Sequence, residues 1–291
     1  MNTRRTFIKQ SGLLTAGLMV NPADLLKGAK KVGIQLYSVR DVIVKDPKGV
    51  LKQVAAAGYK EVEMFGLSAD NKFYGLTVAE LAQVLKDNNL QSPSGHYAPE
   101  KFLFENGNGD DVKNFCEVGN TLGNKYIIVP WMKEERRKTI DQYKVLADKL
   151  NKAGEICKAA GLQLAYHNHD FEFIDMNGEH GYDIFLNNTD KDLVKMEMDI
   201  YWVVRAGHDP VALFKKHPGR FHLWHVKDMD KADKTKNTEV GNGTVDFKTI
   251  FDNASLAGVK YYMVEQENNY VPDIFTSIKT SCSYTKTSLL K

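Results

Sequence analysis

The chain of 291 residues is 43% hydrophobic and 26% charged, and 39 Lys and Arg against 37 Asp and Glu leave a formal net charge of +2. These are the fractions of a globular protein, and a charge so close to neutral argues against a dedicated nucleic-acid binder, which needs a basic footprint. No apolar run is long enough to span a bilayer as a mature segment.

The first residues differ from the rest. Arg4-Arg5-Thr6-Phe7 precedes an uncharged run from Ser11 to Val20. A positive segment before a short apolar one has the grammar of an export signal, and paired arginines before Phe suggest the twin-arginine type. Residues 1–30 are therefore expected to be an export signal and linker, with the mature N-terminus between Val20 and Lys31 and a periplasmic destination. Removing residues 1–29 takes away Arg4, Arg5, Lys9 and Lys27 against Asp24, so the formal charge falls from +2 to −1. Cys116, Cys157 and Cys282 are widely spaced and outside any CxxC pattern. Buried free thiols are expected there, not a disulfide framework or a zinc site.

From Lys31 onward, apolar runs alternate with helical periodicity. Val32 to Tyr37 is a first strand. Asp46-Pro47 then sets an N-cap and an N1 proline for a helix that stops at Gly58. Glu61 to Phe65 is the second strand, and Thr77 with Glu80 makes a capping box for the next helix. Leu90 to Gly95 is a weak third strand that ends at His96. After a Gly- and Asn-rich loop a helix runs to Leu122, and Lys125 to Pro130 is the fourth strand. The longest helix keeps Tyr143, Leu146, Ala147, Leu150, Ala153, Ile156, Cys157 and Ala160 at helical spacing. The fifth strand starts at Leu164 and runs into His167-Asn168-His169. A helix near Tyr182 to Asn188 leads to the sixth strand, Leu193 to Asp199. Asp209-Pro210 starts another helix, and Phe221 to Val226 is the seventh strand. Asp246 is expected to cap a helix to about Ala257, Tyr261 to Glu265 is the eighth strand, and a last helix follows Val271.

Eight apolar strands alternating with helices predict an α/β fold, a (β/α)8 TIM barrel over residues 31–291. A doubly wound open sheet is the competitor, weakened by the lack of Gly-x-Gly-x-x-Gly after the first strand. In such a barrel the active site lies at the C-terminal strand ends. Those ends carry Gln35 and Tyr37, Glu63, His96, Trp131, His167 and His169, Asp199, His225 and Glu265. Alternation puts His167 and His169 on one face. A single strand-end histidine is ordinarily structural. Four neighbouring strands that each present a ligand-type residue at one level form a metal-site constellation.

From about Lys31 to the C-terminus the chain resembles the sugar isomerase/epimerase group with a xylose isomerase-like barrel. The carriers are Gly33 to Ser38, Asn168-His169, Met198-Asp199, His225 to Asp228, the run Gly241-x-Gly243-x-Val245-Asp246-Phe247, and Val264-Glu265. The resemblance implies one divalent metal held by Glu, Asp, His and Glu from the last four strands, of which Asp199, His225 and Glu265 match the last three. Where relatives read Glu-Asn-His, this chain reads His167-Asn168-His169, so His167 takes the first position, with His169 or Glu172 as its alternative. A His that relatives often carry three residues after the Asp is here Trp202. Two imidazoles and two carboxylates suit Mn²⁺, Co²⁺ or Zn²⁺.

The implied chemistry is isomerisation or epimerisation of a keto or aldo sugar through an enediolate. Glu265, Glu172 and His169 are the candidate catalytic groups, Glu265 the first proton acceptor and Glu172 the second. A histidine in place of one glutamate breaks the two-base symmetry of an epimerase and opens elimination from a keto sugar or glycoside. Gln35, Tyr37, Glu63, His96, Trp131 and Lys227 are the expected substrate contacts. Tyr37, Phe65, Trp131 and Trp202 read equally as stacking walls or as core. Lys227 reads either as polarising a substrate oxygen or as a solvated partner of Asp228. His180, His208 and His217 are expected at the surface, and His222 on the side of its strand away from His225. A small carbohydrate is the expected partner, without nucleic acid or membrane, and a homo-oligomer is compatible with the sequence. The competing readings are an apurinic endonuclease, which needs a multi-metal site and basic groove missing here, and a non-catalytic sugar-binding barrel.

Overall fold

The structure is a computed structural model that describes residues 31–290, so the expected export signal lies outside the described residues. Eight strands close a barrel: β1 Gly33–Gln35, β2 Glu61–Met64, β3 Gln91–His96, β4 Tyr126–Val129, β5 Gln163–His167, β6 Val194–Asp199, β7 Phe221–Val226 and β8 Tyr261–Val264. Each pairs in parallel with its sequence neighbours, and β1 closes on β8 through Gly33 opposite Met263. The surrounding helices include α1 Pro47–Ala56, α2 Val78–Asp87, α3 Asp110–Leu122, α4 Ile140–Ala159, α5 Gly181–Asn188, α6 Pro210–Lys216, α7 Phe247–Asp252 and α8 Ile274–Tyr284. This is the expected (β/α)8 barrel.

The caps explain most boundaries. Asp46 accepts from the Gly49 amide at 2.9 Å, and Thr77 with Glu80 completes the capping box. Two helices differ from expectation. The one after Asp246 breaks at Asn253 into α7 and a short turn, Ala254–Ala257. The last begins only at Ile274, because Asp273 caps the amides of Phe275 and Thr276 at 2.9 and 3.0 Å. All three cysteines are buried and free.

Alternation along the strands sorts side chains between two layers. Leu164 and Tyr166 of β5 join the large core under the helices, whereas Ala165 packs with Tyr126, Ile128 and Leu223 inside the barrel. His222 is the exception. The single step from Met196 to Glu197 of β6 is matched by the two-residue step from Phe221 to Leu223 of β7, which makes His222 the extra, bulged residue. The bulge turns His222 to the side of Leu223 and His225, and not away from His225 as expected. Its Nδ1 meets the Tyr126 hydroxyl at 3.0 Å.

At the mouth the first and last strand exits are laced together. The Gln266 amide donates to Ser38 Oγ at 3.1 Å, the Tyr270 hydroxyl to the Ser38 carbonyl at 2.7 Å, and Arg40 to the Glu267 carbonyl at 2.7 Å. Asp228 organises the loop after β7. Its carboxylate accepts from the amides of Met229, Gly241, Gly243 and Val245 at 2.8 to 3.2 Å, so it does not pair with Lys227. A Cβ on Gly243 would sit 2.2 Å from Asp228 Oδ1 and 2.3 Å from the Met229 carbonyl. Gly243→Ala is therefore expected to lower stability by about 1–3 kcal/mol, as overpacking does. Urea unfolding of the two proteins reads the difference.

Candidate metal centre

The ends of β5, β6, β7 and β8 bring His167, Asp199, His225 and Glu265 together, with one ligand atom of each inside a 4.8 Å span. His167 Nε2 lies 3.1 Å from His225 Nδ1 and 3.6 Å from Asp199 Oδ2. His225 Nδ1 lies 3.1 Å from Glu265 Oε2 and 3.8 Å from Asp199 Oδ2. Ligands bound to one Mn²⁺, Co²⁺ or Zn²⁺ ion at about 2.0–2.2 Å stand roughly 3–3.5 Å apart, which is close to this spacing.

Local structure aims each donor. His167 Nδ1 is 3.1 Å from the Pro130 carbonyl; donating there leaves the Nε2 lone pair free for an ion. Asp199 spends Oδ1 as the N-cap of Ile200–Arg205, accepting from the Trp202 amide at 3.2 Å. Its backbone is fixed by Asn168, which accepts from the Asp199 amide at 3.1 Å and donates to its carbonyl at 3.3 Å. Asp199 Oδ2 remains buried without a hydrogen-bond partner among the described residues. A buried orphan of that kind needs an explanation, and a cation supplies it. The donor set therefore fits a divalent ion.

The electrostatics agree. Burial works against the charge on Asp199, but the Lys227 ammonium beside it holds its carboxyl well below the usual range. Burial likewise opposes charge on Glu265, and Lys227 with His225 overcomes it. Burial and the neighbouring His225 push His167 down to about 4, which keeps that imidazole neutral.

A cavity of about 560 Å³ opens above the cluster, lined by Tyr37, Phe65, His96, Trp131, His167, His169, Trp202, Glu265 and Glu267 among others. Tyr37 and Trp131 are 40% and 41% exposed, so they are walls and not core. His169 lies past the end of β5, stacked on Phe171 at 5.2 Å, and its Nδ1 has no partner among the described residues. His180, His208 and His217 are half-buried and lie off the cavity lining.

Several expected contacts lie elsewhere. Gln35 and Glu63 are fully buried beneath the cavity wall and occupied by each other, with the Gln35 amide donating to Glu63 at 2.7 Å. They are not placed to touch substrate directly. Lys227 is also fully buried and off the lining. Its Nζ reaches Glu265 at 3.1 Å and Asp199 at 3.6 Å, and it pairs with Glu267. The structure places the lysine as a buried counter-ion to these three carboxylates and off the cavity lining, not exposed beside Asp228. His96 does reach the cavity, but its Nε2 is taken by Glu197 at 2.7 Å and Glu63 at 3.1 Å. Sequence reasoning missed Glu197, although it stands two residues before Asp199 and so shares its face. Glu267 was missed as well, because it follows the strand end and carried no strand signal.

Glu172 is a correction. It was expected as a second base or alternate ligand, yet its carboxylate sits behind β5, on the Tyr166 hydroxyl and on the His169 amide at 2.8 Å. The short helical turn Phe171–Phe173 carries it to the side of Tyr166, the face turned away from the barrel interior. Burial pushes it up to about 7 from an ordinary 4.5. The protonated form is thus favoured in the folded protein. Its contribution is full below about pH 4.5 and is lost as pH rises through about 7, on the order of 3 kcal/mol in all. Glu172→Gln should flatten that part of the stability-versus-pH curve, measured by denaturant unfolding at stepped pH.

Residues 51–285 match the family described as xylose isomerase-like TIM barrel. The chain is 26% identical over 252 residues to an inosose dehydratase of Clostridium beijerinckii, covering 76% of this chain and 78% of that one. A solved structure described as a sugar phosphate isomerase/epimerase from Parabacteroides distasonis is 29% identical with a TM-score of 0.80, covering 91% of this chain and 96% of that one. The IolI protein solved with a binding zinc atom shares the fold at 16% identity and a TM-score of 0.69, over 89% of this chain and 98% of its own. The chain belongs to the xylose isomerase-like TIM barrel family.

Proposed function

We propose that the protein is a divalent-metal-dependent lyase that eliminates a leaving group β to the carbonyl of a keto sugar or keto glycoside. The observation that carries this reading is the inventory of bases at the cavity. Glu265 lines it and belongs to the ion-holding cluster, whereas the position facing it holds His167, a neutral imidazole turned to the same cluster. One carboxylate base suits removal of a proton from one face and departure of a neighbouring group; epimerisation asks for a proton on each face. The relatives named inosose dehydratase support a loss-of-water type of reaction.

A divalent ion at His167, Asp199, His225 and Glu265 would supply Lewis-acid stabilisation of the developing enediolate charge. The protein's own groups do the rest. Glu265 takes the proton from the carbon next to the carbonyl. Lys227 and His225 keep Glu265 ionised beforehand. Tyr37, Phe65, Trp131 and Trp202 clasp the sugar ring and thin the water around it. His96, raised to about 9 by Glu63 and Glu197 against its burial, is a cationic group on the wall able to return a proton to the departing oxygen.

The test is incubation of the purified, Mn²⁺- or Co²⁺-supplemented protein with a 3-keto glycoside. Release of the aglycone with formation of an unsaturated keto sugar supports the reading. Keto–aldo interconversion without release would replace it with the isomerase or epimerase reading, which the Parabacteroides distasonis structure favours. Less than one divalent ion per chain, with no gain on adding metal, would remove both. Export remains part of the proposal, on the strength of Arg4-Arg5 and the run that follows. N-terminal sequencing of protein from a periplasmic fraction checks it.

A further inference from the structure

Below the ion-holding cluster lies a second one, Glu63, His96, Glu197 and His225. The two share His225, through opposite nitrogens of one ring. Nδ1 faces Glu265 and His167 at 3.1 Å each. Nε2 faces Glu63 at 2.7 Å and Glu197 at 3.4 Å.

Spacing decides what the lower cluster is. Ligands of one ion stand roughly 3–3.5 Å apart, because two filled lone pairs cannot approach more closely around it. A separation of 2.7 Å is that of a hydrogen bond with a shared proton. The lower cluster has two such separations, His225 to Glu63 and His96 to Glu197, both 2.7 Å. In the upper cluster the spacings of His167 and His225 to each other, of both to Asp199 and of His225 to Glu265 run from 3.1 to 3.8 Å.

We infer that Glu63 is a positioning residue of the metal centre, and that the lower cluster is a hydrogen-bonded cradle and not a second ion site. Glu63 accepts a proton bond from His225 Nε2, which fixes the ring so that Nδ1 presents its lone pair to the ion. The carboxylate is itself immobilised. The Gln35 amide donates to Oε1 at 2.7 Å, and the Ser94 hydroxyl to Oε2 at 2.5 Å. Gln35 cannot flip, because its own carbonyl oxygen accepts from the Tyr37 amide at 3.0 Å. The chain of constraint thus runs from the exit of β1, through β2, to the ligand on β7. His96 closes the cradle from above. It bridges Glu63 and Glu197 and stacks its ring on His225 at 5.4 Å.

This inference rests on the metal reading above, and its experiment separates the two. Mn²⁺ is titrated into the full-length protein, and into Glu63→Leu and Glu63→Gln, against a fluorescent chelator, with no substrate present. Wild type is expected to bind one ion per chain. Glu63→Leu should bind about 10–100-fold more weakly, the usual cost of losing a ligand's outer partner. Glu63→Gln should fall between, since its amide oxygen still accepts from Nε2. Ser94→Ala, which leaves the carboxylate in place but frees one oxygen, should weaken binding less than Glu63→Leu and serves as the variant least prone to misfold. In the Zn²⁺-loaded protein, ¹⁵N spectra should show the His225 proton on Nε2. Wild-type protein that binds no ion would refute the metal reading. Two ions per chain, unchanged affinity in folded Glu63→Leu, or a His225 proton on Nδ1 would overturn the positioning role.

Discussion

Glu265→Gln is expected to slow turnover by about 10²–10⁴-fold, the range for losing a positioned general base. Glu265 and Glu267 are the acidic residues on the cavity wall, and Glu267 is engaged by Lys227. Glu265 alone of that pair belongs to the cluster with His167, Asp199 and His225 that could hold an ion. Its carboxyl stays ionised across neutral pH because Lys227 and His225 overcome the effect of burial. The substitution keeps shape and volume but removes the proton acceptor and weakens a metal ligand. The two losses separate at saturating Mn²⁺, where only the base is missing. Solvent-deuterium exchange into a keto sugar, followed by mass spectrometry, is the direct readout. Exchange restored to the wild-type rate by excess metal would leave Glu265 as a ligand and nothing more.

Lys227→Met is expected to have the largest effect on the fold itself. The ammonium is fully buried among Asp199, Glu265 and Glu267, with the Trp202 ring 5.1 Å away. Methionine fills much of the same volume but leaves three acidic groups without their counter-ion. Breaking a buried ion pair by removing one partner costs about 3–5 kcal/mol, which for a domain of this size lowers the thermal midpoint by roughly 10 °C. Added Mn²⁺ should recover part of the loss, since it brings positive charge to two of the same carboxylates. An unchanged midpoint in metal-free Lys227→Met would show that the lysine does not neutralise the site.

The barrel was legible because each repeat carries its own punctuation. Asp46-Pro47, the Thr77–Glu80 box and Asp209-Pro210 mark helix starts, and the strands between them are too apolar to face water. The upper cluster was legible for a related reason: Asp199, His225 and Glu265 all stand at or just past strand ends. What could not be read was direction in depth. Gln35 and Glu63 sit at the same apparent level as the ligands, yet they point inward and bind one another. Lys227 looks like a solvent-facing rim residue until the fold closes over it. Glu172 needed the short turn after β5 to be seen, and His222 needed the bulge. These depend on backbone irregularities of one residue, which periodicity averages away.

The pairing of Gly33 with Met263 has a consequence for how the protein comes to life. A ring has no working intermediate size. Without the last strand, the other seven could pair only as an open sheet with two bare edges, an arrangement prone to stick to neighbours. Glu265 arrives just past that closing strand, so ring closure and completion of the cluster of His167, Asp199, His225 and Glu265 are one event in the growth of the chain. A product truncated before Tyr261 would lack not only a ligand but the geometry of the other three, and should behave as aggregate and not as a weak enzyme.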